Sequence, residues 1–420
     1  MEDLTPKKVR ADADYSQETV PEAGRKGFWP MFFIMLGFTF FSASMSVGAK
    51  MGNGMDLRGF VGAVLLGGAI LGIYTGVFAY LGAKTGMGLD LLARHSFGRR
   101  GSWVPSAMIA LTQIGWFGVG AAMFGYPAAE VLHVPPPALI VAAGVCMTSS
   151  AYFGIKGLEI VSYVSVPLVA FLGTYSMCAA AHAGGGLAAI FAQNAGTIGL
   201  FQGVGMVVGS FVSGGTTAPN FTRFARGRWH AVVTTVVAFF LGNSLMFAFG
   251  AVGGAFTGKD DIFYVMIAQG LMVPALLVLG ANIWTTNDNA LYSSGLGLAN
   301  ICRTRKRPMV LVAGIVGTAA AAWLYHNFVG WLSFLNATLP SAGAIVILDC
   351  FLNRRHYRDE RDAVVDVNWG SVMGVAGGAL AGNFIPAGIA SLNAMAVACA
   401  CYLALGGWRW PRAAAADRSP

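Results

Sequence analysis

Charge is scarce in this chain. Asp, Glu, Lys and Arg make up 11% of its 420 residues, less than half of the roughly 25% a soluble domain carries. Together with 56% hydrophobic residues and a mean hydropathy of +0.63, this excludes an ordinary water-soluble domain. The apolar runs are long enough to cross a bilayer, which takes about 20 residues each. Within those runs acids are rarer still: Asp288 alone sits at depth, and Asp349 closes a run just before "RRHYRDERD". The histidines His95, His133, His182, His230, His326 and His356 fall at loops or run ends. A buried chain of titratable groups is therefore missing, which argues against a proton relay and an intramembrane hydrolase. HExxH, GxSxG and P-loop patterns are absent too, so the chain does not read as an enzyme. Cys146, Cys178, Cys302, Cys350, Cys399 and Cys401 lie in or beside apolar runs without metal or redox spacing, and read as small core residues. Residues 1–27 contain no apolar h-region, which excludes a cleavable signal peptide there.

What is abundant is apolar sequence and glycine. The 57 glycines suit closely packed membrane helices. About twelve apolar segments are expected: 28–49, 58–83, 101–130, 138–153, 159–182, 199–222, 229–256, 265–298, 308–325, 328–352, 369–385 and 388–408. Of the 27 Lys and Arg, 24 fall in the tails and in every second loop, and three (Lys50, Arg58, Lys259) on the other side. By the positive-inside bias both termini are cytoplasmic and the number of segments is even. The net charge of +8 is thus a topology signal and not a nucleic-acid footprint. The expected protein is an all-α polytopic protein of the cell (inner) membrane.

Neutral oxygen donors gather at four places in the apolar segments: "FFSASMS" (40–46), "TQIGWFGVG" (112–120), "GSFVSGGTTAPN" (209–220) and "NIWTTNDNA" (282–290). Intramembrane polar clusters mark sites. Segments one and six carry Ser-rich interruptions, and segments three and eight carry amide-and-Trp clusters. A separation of five in both cases is what two inverted five-helix repeats would produce, and paired interruptions point to the binding site of a secondary transporter. Gly214-Gly215 and Pro219 predict a break in segment six at mid-membrane, tolerated only where backbone is buried or lines a cavity. Gly68, Gly72 and Gly76, spaced by four, read as plain helix packing.

On a helix, Asn282, Thr285, Thr286 and Asn289 share one side. Hydroxyls there, with carbonyls freed by a broken neighbour, are hard oxygen ligands that suit a cation such as sodium without a carboxylate. Gln113 and Trp116 share a face, and Phe211 lies beside segment six's interruption. An indole and a phenyl ring can sandwich a flat heterocycle, and side-chain amides match its alternating donor–acceptor edge. Asn287 lies about 140° round the helix from Asn282, so the two serve different neighbours. Asp288 reads as a structural hydrogen-bonding residue.

At these residues the sequence resembles the cytosine permease branch of the nucleobase-cation-symport-1 family. "MLGFTFFSASM", "LGIYTG", "GAKTG", "LLARHSFG", "TQIGWFGVGAAMF", "FFLGNSLMF", "MIAQGL", "NIWTTNDNALY", "HNFVGWL" and "NRRHY" carry the resemblance. It implies a LeuT-type 5+5 inverted repeat plus two C-terminal helices, alternating access, and sodium-coupled uptake of cytosine by a monomer. Residues 28–182 would form the first repeat, 199–352 the inverted repeat and 369–408 the last two helices, with 1–27 a disordered cytoplasmic tail and 409–420 a second cytoplasmic tail. Carried over residue by residue, the resemblance implies sodium on the carbonyls of Phe41, Ser44 and Asn282 and the hydroxyls of Thr285 and Thr286. It implies cytosine stacked between Trp116 and Phe211, bonded by Gln113, with Ser210, Ser213, Asn282 or Asn287, and Ser42 assisting. The alternatives are a symporter of the same fold for uracil, hydantoin, allantoin or thiamine, including a proton-driven one, and, in another class, a channel or membrane enzyme. "SVGAK" just after segment one's interruption and the Gly- and Pro-rich "SGGTTAPN" depart from the branch pattern.

Overall fold

The computed structural model describes residues 18–153, 156–193, 196–357 and 365–409. Residues 1–17 of the expected N-terminal tail and 410–420 of the C-terminal one lie outside them. The described chain is all-α apart from one isolated bridge, Lys26 to Ala225.

The helices follow the apolar segments closely. The first segment is split into α1 (Phe28–Thr39) and α2 (Ser42–Gly54), bent by 48° at the break. Then come α3 (Leu57–Thr85), a short α4 (Leu89–Phe97), α5 (Trp103–Leu132), α6 (Pro136–Phe153), α7 (Lys156–Ala183) and a short α8 (Leu187–Phe191). The second half holds α9 (Leu200–Thr217), α10 (Pro219–Thr222), and α11 (Arg228–Val237), which is joined to α12 (Asn243–Thr257) through a π-turn at 238–242. It continues with α13 (Ile262–Ala268), α14 (Met272–Pro274), a second π-turn leading into α15 (Gly280–Cys302), then α16 (Lys306–His326) and α17 (Phe328–Leu352). Helices α18 (Trp369–Phe384) and α19 (Ala390–Ala404) close the fold.

Among the described residues, six helices are long and apolar enough to cross a membrane, and the α1–α2 pair makes a seventh if taken as one span. The others are shorter or diluted by polar residues, as α9 and α15 are by their Ser, Thr and Asn. Ile73, Phe171 and Ile315 leave the fold pointing outward, which suits a lipid surface.

Local sequence sets the ends. Asp56 caps α3 by accepting the Gly59 N–H at 2.9 Å, and Gly86, at φ +71, lets the chain turn away after it. Asp261 caps α13 in the same way through the Phe263 N–H.

Three expectations shift. The predicted interruption of segment six falls at Ala218, just before Pro219, and not at Gly214-Gly215: α9 runs unbroken to Thr217 and α10 starts at Pro219. The two glycines are wedged against Phe211 and Phe38 and against Thr75 and Tyr74, so packing holds the helix that their composition would loosen. Pro219, without an N–H, ends the ladder instead. Segment eight begins at α14 and not at residue 265, because α13 is a separate turn ended at Gly270 (φ +79). Finally, residues 18–27 of the expected tail are ordered. Val20 is buried with its N–H on Gly86 O, Arg25 donates to Ala83 O, and Lys26 pairs with the strand-like backbone around Ala225.

Two groups of helices surround the site. The broken α1–α2 helix packs with α3, α9, α11 and α12, whereas α5, α6, α15 and α16 pack with one another. The α2–α12 contact is the tightest. A Cβ built on Gly250 would lie 1.7 Å from Met45 O, and one on Gly52 would lie 2.1 Å from Ala251 O, so glycine alone permits this backbone approach. Gly68 and Gly76 pack against Phe240 and Val236, as their spacing predicts.

Candidate functional site: a helix break beside an aromatic cavity

The site is organised by what satisfies the broken backbone. Between α1 and α2, Phe40 (φ −77°, ψ 75°) and Phe41 (φ −116°, ψ 122°) leave the helical ladder. Buried backbone groups must find partners. Asn282 of α15 supplies two: its Oδ1 accepts the Ser42 N–H at 2.9 Å, and its Nδ2 donates to Phe40 O at 2.7 Å. One fully buried amide thus spans the break and ties α1–α2 to α15.

Oxygen donors converge beside it. The hydroxyls of Thr285 and Thr286 both donate to Asn282 O at 2.9 Å, and Thr286 also reaches Ile283 O at 3.0 Å. Phe41 O accepts the Ser44 N–H at 2.9 Å. The hydroxyls of Ser42 and Ser44 are buried and have no protein partner. Unmet buried hydroxyls are uncommon and costly. A hard cation coordinated by neutral oxygens would engage such groups, and the donor set fits one. Among the described residues, no three His, Cys, Asp or Glu side chains gather in a way that could hold a metal.

Next to these oxygens lies a cavity of about 40 Å³ lined by Gln113 and Trp116 of α5, Ser210, Phe211 and Ser213 of α9, and Thr286 and Asn287 of α15. Thr286 therefore belongs to both the oxygen cluster and the cavity. Gln113 is buried at the cavity wall, and the buried Trp116 indole N–H has no protein partner. Ser210 back-bonds to Val207 O at 2.7 Å. Asn287 donates to Phe117 O at 3.1 Å, which fixes the amide at the cavity wall. The arrangement can take a flat molecule with a polar edge.

The expected residues divide cleanly. Gln113, Trp116, Ser210, Phe211, Ser213 and Asn287 line one cavity, and Asn282 and Ser42 do not line it: they meet each other across the break. The separation inferred between Asn282 and Asn287 is therefore real. Phe38, Gly214, Ala290 and the ring of Phe41 also line the cavity, and sequence reasoning passed over them. Phe41's ring sits edge-on to both Trp116 (5.8 Å) and Phe211 (6.5 Å). In an apolar run of aromatics nothing marks one ring as facing inward. Asp288 points elsewhere: its carboxylate accepts from Ser150 of α6 at 3.1 Å, and Ser150 in turn accepts from the Trp284 indole.

A larger cavity, about 250 Å³, opens at the end of the fold that carries Lys50 and Lys259. Its floor includes Phe328, whose ring lies 6.0 Å from Trp116. Its wall includes buried Asp261, which accepts from Tyr325 at 2.9 Å; burial pushes this carboxyl above its ordinary range.

Known proteins share this sequence and fold. The family described as permease for cytosine/purines, uracil, thiamine, allantoin matches residues 19–405. The cytosine permease of Escherichia coli (strain K12) is 48% identical over 396 residues, 94% of each chain. The solved structure of the nucleobase-cation-symport-1 transporter Mhp1, closed with bromovinylhydantoin bound, superposes with a TM-score of 0.80 at 19% identity, covering 94% of this chain and 95% of that one. A Na+-coupled sialic acid symporter in a substrate-bound outward-open state gives 0.69 at 15% identity, covering 96% and 93%.

Proposed function

The chain belongs to the family of permeases for cytosine, purines, uracil, thiamine and allantoin, and from that premise we propose that it is a sodium-coupled symporter that takes up cytosine. The single observation that carries the reading is the shared wall at Thr286: an oxygen cluster at a helix break adjoins a cavity lined by the Trp116 and Phe211 rings and the Gln113 amide. The identity to the curated cytosine permease, 48% across 94% of the chain, supports cytosine over other planar heterocycles. Sodium is supported by the donor chemistry: neutral hydroxyls and carbonyls and no carboxylate.

In this reading twelve helices cross the membrane as two inverted repeats of five plus two, with both termini cytoplasmic. Sodium takes the carbonyls of Phe41, Ser44 and Asn282 and the hydroxyls of Thr285 and Thr286. Cytosine stacks between Trp116 and Phe211, with Gln113 on its polar edge and Ser210, Ser213 and Asn287 around it. Asn282 and Ser42 hold the break that shapes both sites. Because ion and base share a wall, each favours the same arrangement of the α1–α2 group against the α5–α15 group, which is positive coupling. Closure of one group on the other then carries both across.

Uptake of labelled cytosine into proteoliposomes, with sodium or potassium outside at fixed pH, tests the proposal. Saturable uptake that requires sodium and is outcompeted poorly by uracil, hydantoin, allantoin or thiamine is expected. Equal uptake in potassium would remove sodium from the mechanism, and preference for another heterocycle would replace cytosine.

A further inference from the structure

The two cavities lie in series. Met123 lines the larger one and Trp116 the smaller. Seven residues separate them on α5, so they share a face two turns apart, about 10 Å along the axis. On α2, Ser46 and Lys50 line the larger cavity and continue the face that begins at Ser42 beside the break. Phe328 forms the partition: it lines the larger cavity, and its ring contacts Trp116 edge-on at 6.0 Å and 82°.

The larger cavity has the chemistry of a site rather than of a bare funnel. Tyr325 is held rigidly, stacked on Tyr126 at 4.8 Å with its hydroxyl on Asp261. With Tyr264 and Phe328 it gives the cavity aromatic walls, and ring faces hold flat heterocycles. Polar groups sit at the rim. His326 meets the Tyr126 hydroxyl at 3.0 Å, and Asp260 is held by Asn53 at 2.6 Å and by the Lys50 ammonium at 3.6 Å. The Lys50 ammonium and the Asp260 carboxylate, side by side in this lining, offer the donor and acceptor that the mixed edge of a neutral base takes.

We propose that this cavity is a waiting site, at the end of the fold opposite the termini, that binds an uncharged planar heteroaromatic base before it passes Phe328 into the smaller cavity. The inference rests on the proposed function for the inner cavity. Occupancy of the outer site is separable from occupancy of the inner one, because no residue lines both.

The test uses the full-length protein in detergent, with cytosine as the probe. Lys259→Cys is modified with a maleimide, and the rate is read by mass spectrometry on the peptide that holds position 259, which keeps the native cysteines out of the measurement. In a Gln113→Ala background, where the inner cavity is disabled, cytosine is expected to slow this modification at least threefold, and adding Tyr264→Ala is expected to abolish the protection. In the otherwise native chain, Tyr264→Ala is expected to slow cytosine association and dissociation together, about fivefold, with the equilibrium Kd unchanged. No protection at position 259, with unaltered rates in Tyr264→Ala, overturns the waiting site while leaving inner binding intact. A native chain that fails to bind cytosine at all sinks the proposed function, and the waiting site with it.

Discussion

Thr286 is where the proposed ion and base meet, and its hydroxyl gives the sharpest expectation at the scale of single residues. Thr286→Ala removes one oxygen from the cluster and leaves the aromatic walls in place. The sodium concentration for half-maximal uptake should rise at least tenfold, while cytosine affinity at saturating sodium changes less than about threefold; a sodium titration of uptake checks both. Gln113→Ala should weaken cytosine binding about 100-fold or more, because a site built to pair a polar edge is left with unmet groups; calorimetry on the purified variant reads this directly. Both residues were legible in the sequence, since hydroxyls and an amide in an apolar run have few other reasons to be there. Asn282 was only half legible. Its polarity marks it, but nothing local reveals that its amide is consumed by Ser42 and Phe40, some 240 positions away.

At the scale of elements, the break between α1 and α2 depends on that amide. Asn282→Ala would strand the Ser42 N–H and the Phe40 carbonyl, at about 1–3 kcal/mol each. A clear drop in melting temperature is expected without ligand as well as with it, and an unchanged melting curve would mean that other groups hold the break. The same scale explains why segment six is interrupted before Pro219 and not at its glycines. Glycines and a proline suggest a weak helix, but whether it yields depends on neighbours such as Tyr74 and Thr75, which sit on another helix. The cap of α13 adds a pH dependence. Asp261 is buried, and its carboxyl is held above the ordinary range by desolvation, which favours the neutral form in the folded protein. Its contribution to stability is therefore full below the ordinary carboxylate range and is lost as pH rises from about 4 through the raised value. Asp261→Asn keeps a capping oxygen and removes the titration. Melting curves across pH should show a shallower fall on the alkaline side for this variant than for the native chain; parallel curves would contradict the assignment.

At the scale of the whole molecule, two helix groups face each other, meeting where α2 approaches α15 and where α5 approaches α9. Composition foretold the apolar segments, because it is summed over the chain and tolerates local error. The grouping of α1–α2 with α12, and of α5 with α15, was not legible: it follows from which glycines and small residues meet, such as Gly250 on Met45 O. Coupling of ion to base is the property proposed for this grouping, and linkage makes it measurable at equilibrium. The decisive measurement is the cytosine Kd of the purified protein, determined by calorimetry with and without sodium at constant ionic strength and pH. Tightening by at least tenfold in sodium, matched by an equal tightening of sodium binding when cytosine is present, is the predicted result. An identical Kd in both salts would contradict the account.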